Sequence, residues 1–532
     1  MAQHYDALVI GAGFSGMYQL IRLREQGFST RVVEKGTGVG GTWYWNRYPG
    51  ARVDIESVEY SYSFDDALQQ EWDWSERYAA QPEILRYAEH VADRYDLRRD
   101  ISFETSVEKA VWDEESDRWT VTMLSAEGSE TVTASYVIAA TGCLSMPSRP
   151  HFEGMDDFEG ETYWTSSYPR EGVDLTDKRV AVIGTGSSGL QTITAIAPVV
   201  GELTVFQRTP SYAVPAHNGP EADRLREVRP QYPAFRELSA LSPLGFQCGE
   251  DNPRVMMETD PVDVRAELDR RWAVGGLCFN SGFEDTLRDQ AANDLAAEYV
   301  RDQIRAKVKD PEVAEKLCPT TYPIASKRMC VDTGYFEVYN QDNVSLVDLQ
   351  ETPIERFSAK GVVAGGTEYE VDVIILATGF DAMTGALNAI EFRNGEQVLS
   401  EKWEHGPRTY LGLMSVGFPN LLTVTGPQSP SVLSNMMTSI EYHVDWITRL
   451  LQAQRAEGLT RIEPRPEAED NWVNTTNDLA DLTLMPQASS WYMGANIPGK
   501  QRVFMPFIGG VGAYKQIGDG IATVGYHGFD RA

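Results

Sequence analysis

Positive charge is scarce in this chain. Its 47 Lys and Arg residues stand against 78 Asp and Glu over 532 residues, a formal net charge of −31. That balance repels polyanions, so neither nucleic acid nor an anionic membrane is expected as a partner. Long apolar runs are missing too, and none approaches the ~20 residues of a membrane span. The opening MAQHYDALVIGAG carries no basic n-region and no small-residue cleavage site, which reads as cytoplasmic. Cysteine is sparse: Cys143, Cys248, Cys278, Cys318 and Cys330 are scattered, odd in number and without a CxxC pair. The spacing predicts reduced, packed thiols and excludes a dithiol redox centre or a four-cysteine zinc site. The histidines include no HExxH, so no metal is expected, and no GxSxG elbow marks a serine hydrolase. Hydrophobic residues at 42% and charged residues at 23% are what a folded soluble protein carries. The length suits about three domains at ~150 residues each.

One pattern occurs twice. Residues 6–16 read DALVIGAGFSG and residues 179–189 read RVAVIGTGSSG, each a β-branched strand, a GxGxxG turn and a helical stretch (17–25 and 190–197). The first glycine of such a turn permits the tight bend, the second admits a pyrophosphate, and the third packs helix on strand. The helix N-terminus then offers its amides to the phosphates. Two Rossmann-like dinucleotide-binding domains of α/β class are expected. After the first turn (Gly11, Gly13, Ser15, Gly16) comes RVVEKG, where Glu34 can accept hydrogen bonds from ribose hydroxyls and repels a 2′-phosphate. After the second (Thr185, Gly186, Ser187, Ser188, Gly189) comes LTVFQRTP, where Arg208, followed by Thr209, replaces the acid. A guanidinium there attracts a 2′-phosphate. The first site therefore suits FAD and the second NADPH.

Between the turns, residues 107–113, 118–124 and 130–134 alternate, predicting an antiparallel meander inserted in the first domain. Residues 136–140 read as a separate buried strand ending in Ala140-Thr141-Gly142. Residues 371–376 end likewise in Ala377-Thr378-Gly379, as at chain crossings in flavin-dependent oxidoreductases. Residues 215–325 lack strand alternation, while Leu287, Ala291, Leu295, Val300, Ile304 and Val308 fall at helical spacing, predicting a helical insertion. The expected order is 1–142 and 377–532 for the FAD-binding domain, and 143–214 and 326–376 for the NADP-binding domain around that insertion.

From Gly40 the chain reads GGTWYWNRYPGARVDIESVEYSYSF, a mix of glycine, aromatic and arginine that suits a loop wrapped around a flat cofactor. Gly40, Gly41, Trp43, Tyr48, Pro49, Gly50 and Asp54 form GGxWx4YPGx3D, which resembles the signature of the type I Baeyer–Villiger monooxygenases. Matching stretches at 322–348, 406–412 and 490–500 extend the resemblance over essentially the whole chain. It implies bound FAD and NADPH, a small-molecule ketone and O2 as substrates, and an ester or lactone as product, formed through a C4a-peroxyflavin. Arg328 resembles the family's essential arginine, needed because the peroxide must stay anionic and the ketone adduct is negative. Asp54 resembles the carboxylate that holds it, Lys327 a partner of Arg208 at the 2′-phosphate, and Trp491 an indole that contacts NADP. Contacts to FAD carried over in this way are Gly11, Gly13, Ser15, Gly16, Glu34, Gly41, Thr42, Trp43, Tyr44, Trp45, Asp54, Tyr60, Val107 and Met436. Those to NADP are Arg52, Thr185, Gly186, Ser187, Ser188, Gly189, Gln191, Arg208, Thr209, Lys327, Arg328 and Trp491.

The older family fingerprint, FxGxxxHxxxW followed by P or D, is met by Phe158, Gly160 and Pro169. However, Trp164 stands at the histidine and Tyr168 at the tryptophan. Such aromatics keep a packing role and lose an imidazole hydrogen bond, which bears on coupling rather than on the cofactor sites. Residues 426–436, with a two-residue bulge at Ser431-Val432, resemble the phenylacetone and steroid monooxygenase branch, which implies aryl-alkyl or bulky ketones. The alternatives are a flavin-dependent S- or N-oxygenase and an uncoupled, oxidase-like flavoprotein. A monomer or weak homo-oligomer is expected.

Overall fold

Ala7, Leu8, Val9 and Ile10 are all buried, as a parallel strand covered on both faces requires. In the computed structural model, which describes residues 3–249 and 254–532, they belong to His4–Ile10, an inner strand of a nine-stranded sheet. It pairs in parallel with Thr30–Val33 on one side and Gly128–Ala139 on the other. The helix Phe14–Glu25 lies between the first two strands in sequence. A second sheet repeats the plan with five parallel strands, in the order Val344–Asp348, Glu202–Gln207, Arg179–Ile183, Val373–Leu376, Glu161–Trp164. Its glycine helix is Ser187–Ile196.

The meander is present as Ser106–Asp113, Arg118–Ser125 and Gly128–Ala139, paired antiparallel. The expected break before Tyr136 is absent: Gly128–Ala139 is one strand of 12 residues. Its first part closes the meander, while its last part pairs with His4–Ile10 and Leu421–Thr423, so one strand serves both subsheets. The tail also returns Glu391–Asn394 to the edge of Ser106–Asp113.

The stretch between Pro215 and Tyr322 is helical, with Ala222–Val228, Tyr232–Leu241, Pro261–Val274, Gln290–Lys307 and Pro311–Leu317. Two details correct the sequence reading. Along Gln290–Lys307 the buried face runs through Ala292, Ala296, Ala297, Tyr299, Val300 and Ile304, whereas Ala291 and Leu295 are exposed. Val300, Ile304 and Val308 are buried as expected, and only the first turns are shifted by one position, with Ala292 and Ala296 on the core side in place of Ala291 and Leu295. Cys248 and Cys278 are joined by a disulfide with Cα atoms 5.1 Å apart, so only Cys143, Cys318 and Cys330 remain free, all buried. Their separation of 30 residues forms no local motif, and the folding of the insertion brings them together. Among the described residues no helix is long and apolar enough to cross a membrane.

Candidate active site

The two glycine turns are built alike. Gly11 has φ +106°, and a Cβ on it would lie 2.6 Å from the carbonyl oxygen of Ala140; Gly184 has φ +107°, with the Ala377 oxygen 2.5 Å away. Ala140 N–H donates to Ile10 O at 2.9 Å, and Ala377 N–H to Ile183 O at 2.9 Å. Each Ala-Thr-Gly ending thus abuts the first glycine of its own turn. The helices beyond leave their N-termini open. Neither Phe14–Glu25 nor Ser187–Ile196 has a side-chain cap or an acidic residue in its first turn. By contrast Asp260, Asp289, Asp310 and Asn435 cap other helices. Uncapped N-terminal amides behind a glycine turn are donors suited to a phosphate. Both turns fit a dinucleotide.

Around the first turn, Gly41 presses on Gly13: a Cβ on Gly41, at φ +53°, would fall 2.8 Å from the Gly13 Cα. The short helix Thr42–Trp45 therefore begins on top of the turn. Buried Glu34 ends the next strand, and its two oxygens accept from Ala12 N at 2.8 Å and Gly36 N at 2.7 Å. A carboxylate has about four acceptor positions, which leaves capacity for ribose hydroxyls. Thr105 N–H bonds Glu34 O at 3.0 Å, placing Val107 two residues from that strand end. Trp43 Nε1 donates to the Tyr60 hydroxyl at 3.1 Å, and the Tyr44 and Trp45 rings meet edge-on at 5.0 Å. Ser15 and Gly16 are buried within the first helical turn.

The Tyr48-Pro49-Gly50 loop binds the second glycine helix to this region. A Cβ on Gly50, φ +79°, would collide with Gln191 O at 2.4 Å. The Tyr48 hydroxyl donates to Gln191 Oε1 at 2.9 Å, and Gln191 Nε2 donates to Arg52 O at 3.1 Å. At the second turn, Thr185 Oγ1 donates to Thr209 O at 3.0 Å, and Ser187 Oγ lies 3.5 Å from Cys330 Sγ. Ser188 O accepts from Thr192 Oγ1, one turn along the helix. Unlike Gly184, Gly186 faces open space, with nothing within 4 Å of a Cβ.

The four basic residues singled out from sequence part into two kinds. Arg52 is neutralised by Glu76 at 2.9 Å and Arg328 by Asp54. Arg208 and Lys327 have no carboxylate partner among the described residues, although the chain is strongly acidic. Burial, with the Arg208 charge added, pushes the Lys327 ammonium down to about 8, and it rests 4.3 Å from the Tyr322 ring centre. Two cations held together without an anion form a ready phosphate site.

Arg328 Nε and Nη2 donate to the two Asp54 oxygens at 2.5 and 2.8 Å, while Nη1 donates to Val432 O at 2.7 Å. Burial opposes the guanidinium charge, but Asp54 outweighs it and raises the pKa, so the cation is permanent. Val432 belongs to the expected bulge. Ser431–Leu433 is a single 3-10 turn with Ser431 at φ +39°, and it sets that carbonyl against the arginine. Met436 opens the helix Met436–Glu457 just beyond.

Sequence reasoning missed Tyr492. It is buried within electrostatic reach of Arg328, and burial pushes its hydroxyl up to about 12 while the arginine opposes that shift. Trp491 packs on Tyr492 at 4.3 Å, in a cluster with Cys143, Met383, Val432 and Met436. Its signals in the sequence were adjacency to Trp491 and a place in the matching stretch 490–500. In the altered fingerprint, Trp164 pairs with Leu376 and carries the Arg149 guanidinium 5.4 Å from its ring centre. Tyr168 is buried against Tyr163 at 5.5 Å, its hydroxyl without a hydrogen-bond partner.

Residues 8–224 match the family model described as pyridine nucleotide-disulphide oxidoreductase. Over 98% of both chains, the protein is 43% identical to an acetone monooxygenase (methyl acetate-forming) of Gordonia sp. strain TY-5. It is 42% identical to a Baeyer–Villiger monooxygenase of Pseudooceanicola batsensis, over 98% of this chain and 95% of the other. The chain belongs to the type I Baeyer–Villiger monooxygenases. Among solved structures, an oxidized steroid monooxygenase bound to NADP matches with TM-score 0.95 and 48% identity over 99% of each chain. The complex of OTEMO with FAD and NADP matches with TM-score 0.95 and 37% identity over all of both chains.

Proposed function

We propose that this Baeyer–Villiger monooxygenase converts a ketone to an ester or lactone with NADPH and O2, holding FAD at the first glycine turn and NADPH at the second. The observation that supports it most is the bidentate Arg328–Asp54 pair, which lies beside the segment between the two turns. FAD, reduced by NADPH, supplies the electrons that activate O2, one atom of which is inserted beside the ketone carbonyl. The chain's own residues do the rest. Glu34 takes the ribose of the first dinucleotide, and Arg208 with Lys327 takes the 2′-phosphate of the second. Arg328 faces the reacting carbonyl with a fixed positive charge. As negative charge grows on the ketone oxygen, a preoriented guanidinium in a water-poor site stabilises it without reorganising. Asp54 keeps that guanidinium planar to the site and spares it an uncompensated burial. The chain is read as divided at 142/143, 214/215, 325/326 and 376/377. The resemblance of residues 426–436 to the phenylacetone and steroid monooxygenase branch supports aryl-alkyl or bulky ketones as substrates. A cytoplasmic monomer or weak homo-oligomer completes the reading. Ketone-dependent NADPH consumption with one ester formed per NADPH tests it; NADPH consumption that yields only hydrogen peroxide would overturn it.

A further inference from the structure

Glu59 is a buried carboxyl that the reaction as described does not use, and three parts of the chain meet on it. Its Oε1 accepts from Gln247 N at 2.8 Å and its Oε2 from Ser239 Oγ at 2.8 Å, both in the helical insertion. Its own carbonyl accepts from Arg236 of the insertion and from Asn435 Nδ2 at 2.9 Å. Asn435 caps the helix that follows the Val432 turn, and Val432 is the carbonyl held by Arg328. Glu59 also lines, with Asp54, Glu56, Tyr78, Phe246 and Gln247, a small cavity of about 10 Å³. That is close to the size of one water. Phe246 and Gln247 line the same cavity as Asp54, and Glu59 ties this stretch down at the Gln247 amide.

We infer that Glu59 is a positioning residue whose proton state sets how firmly the insertion wall is held against the Asp54–Arg328 pair. As a carboxylate it accepts from Gln247 and Ser239 together. Once protonated, it can give its O–H to the Ser239 hydroxyl, whose own proton turns to Phe235 O at 3.0 Å, and the Gln247 amide is left with a neutral carbonyl acceptor in place of a carboxylate. The Gln247 link then weakens, and the wall beside Asp54 loosens. The groups around Glu59 decide where this happens. Burial favours the neutral acid, and Glu56 on the same strap adds to that. The Gln247 amide, Arg236 and Ser239 oppose it. Tyr232 on the insertion lies close by, as do Tyr78 and Arg77 across the cavity, the latter paired with Glu56 at 2.6 Å. Glu441 on the Asn435-capped helix shares the Arg236 charge. The balance pushes the Glu59 carboxyl up to about 7, so the switch falls near neutral pH. Above that value the wall is pinned; below it, released.

The inference rests on the reading of Arg328 and Asp54 as the reacting site, and its test separates the two. The first readout needs no turnover: hydrogen–deuterium exchange of peptides spanning residues 242–249 in the FAD-loaded enzyme, corrected for the intrinsic pH dependence of exchange. Protection is expected to fall severalfold as pH drops through about 7, and to be independent of pH in Glu59→Gln, which keeps an acceptor but cannot titrate. The second readout is the pH profile of kcat/KM for a ketone, which is expected to rise through the same range in the natural enzyme and to lose that limb in Glu59→Gln. Protection that titrates identically in Glu59→Gln would overturn the inference. So would a protection in the natural enzyme that is flat with pH, whether or not Glu59→Gln folds. Absence of any ester at any pH would instead overturn the proposed function while leaving the exchange result standing.

Discussion

Arg328 and Asp54, 274 positions apart in sequence, face each other as a planar fork on a carboxylate, with hydrogen bonds of 2.5 and 2.8 Å. The pairing makes the guanidinium a fixed part of the site. Its removal separates turnover from folding and cofactor binding. Arg328→Ala is expected to fold and to carry FAD, because Glu34 and the glycine turns are untouched. Its ester formation is expected to fall by on the order of 10²-fold or more, with electrons leaving as hydrogen peroxide. Asp54→Ala shares the defect in weaker form. Arg328→Lys rescues little, since a point charge on a flexible stem does not reproduce the fork. Product analysis beside oxygen-mixing spectra checks all three.

The proposed NADPH preference rests on Arg208 and Lys327, which have no carboxylate partner among the described residues. Arg208→Ala removes a charge-assisted contact worth ~1.5–3 kcal/mol, so the preference for NADPH over NADH is expected to fall by roughly 10- to 100-fold. Steady-state kinetics with both coenzymes gives the ratio, and an unchanged ratio would remove Arg208 from the 2′-phosphate site.

Lys327 adds a pH dependence of defined sign. Burial and Arg208 bring its pKa down to about 8, so the free enzyme loses this charge as pH rises through that value. A 2′-phosphate favours the charged form, and therefore KM for NADPH is expected to climb above pH 8 while KM for NADH does not. Lys327→Met is expected to flatten the NADPH profile, and a profile that still climbs would assign the titration elsewhere.

The second glycine turn offers a contrast between stability and binding. Gly184→Ala places a methyl group against Ala377 O at φ +107° and is expected to cost on the order of 1–3 kcal/mol. At Gly186 the backbone is extended and the space is open, so alanine there leaves the melting temperature unchanged. It narrows the approach of the pyrophosphate, and NADP affinity is expected to drop about tenfold or more, about 1.4 kcal/mol. Thermal melts and coenzyme titrations of the two variants separate the roles.

How much of this was legible in the sequence depends on range. The glycine turns were readable because each needs only a strand, three glycines and a helix within about 15 residues, and Arg208 against Glu34 is a local contrast of the same kind. Asp54 and Arg328 were paired only through resemblance, because nothing in their spacing brings residues so far apart together. Arg52 was named for NADP only through resemblance, and its pairing with Glu76, 24 positions away, is decided by the fold. The Cys248–Cys278 bridge and the shifted first turns of Gln290–Lys307 were hidden for the same reason: each is decided by packing inside the insertion. Tyr492 and Glu59 lie inside stretches that resemble the family, but nothing in those stretches singles them out. Their importance comes from burial beside charge, which a sequence does not display.

The central claim is that this enzyme inserts one atom of O2 next to a ketone carbonyl. The most direct measurement is mass spectrometry of the products formed from NADPH, isotopically heavy O2 and a panel of aryl-alkyl and cyclic ketones. The account expects an ester or lactone carrying one labelled oxygen, formed in proportion to NADPH consumed. Unlabelled ester, or NADPH consumed with hydrogen peroxide as the sole product across the panel, would contradict it.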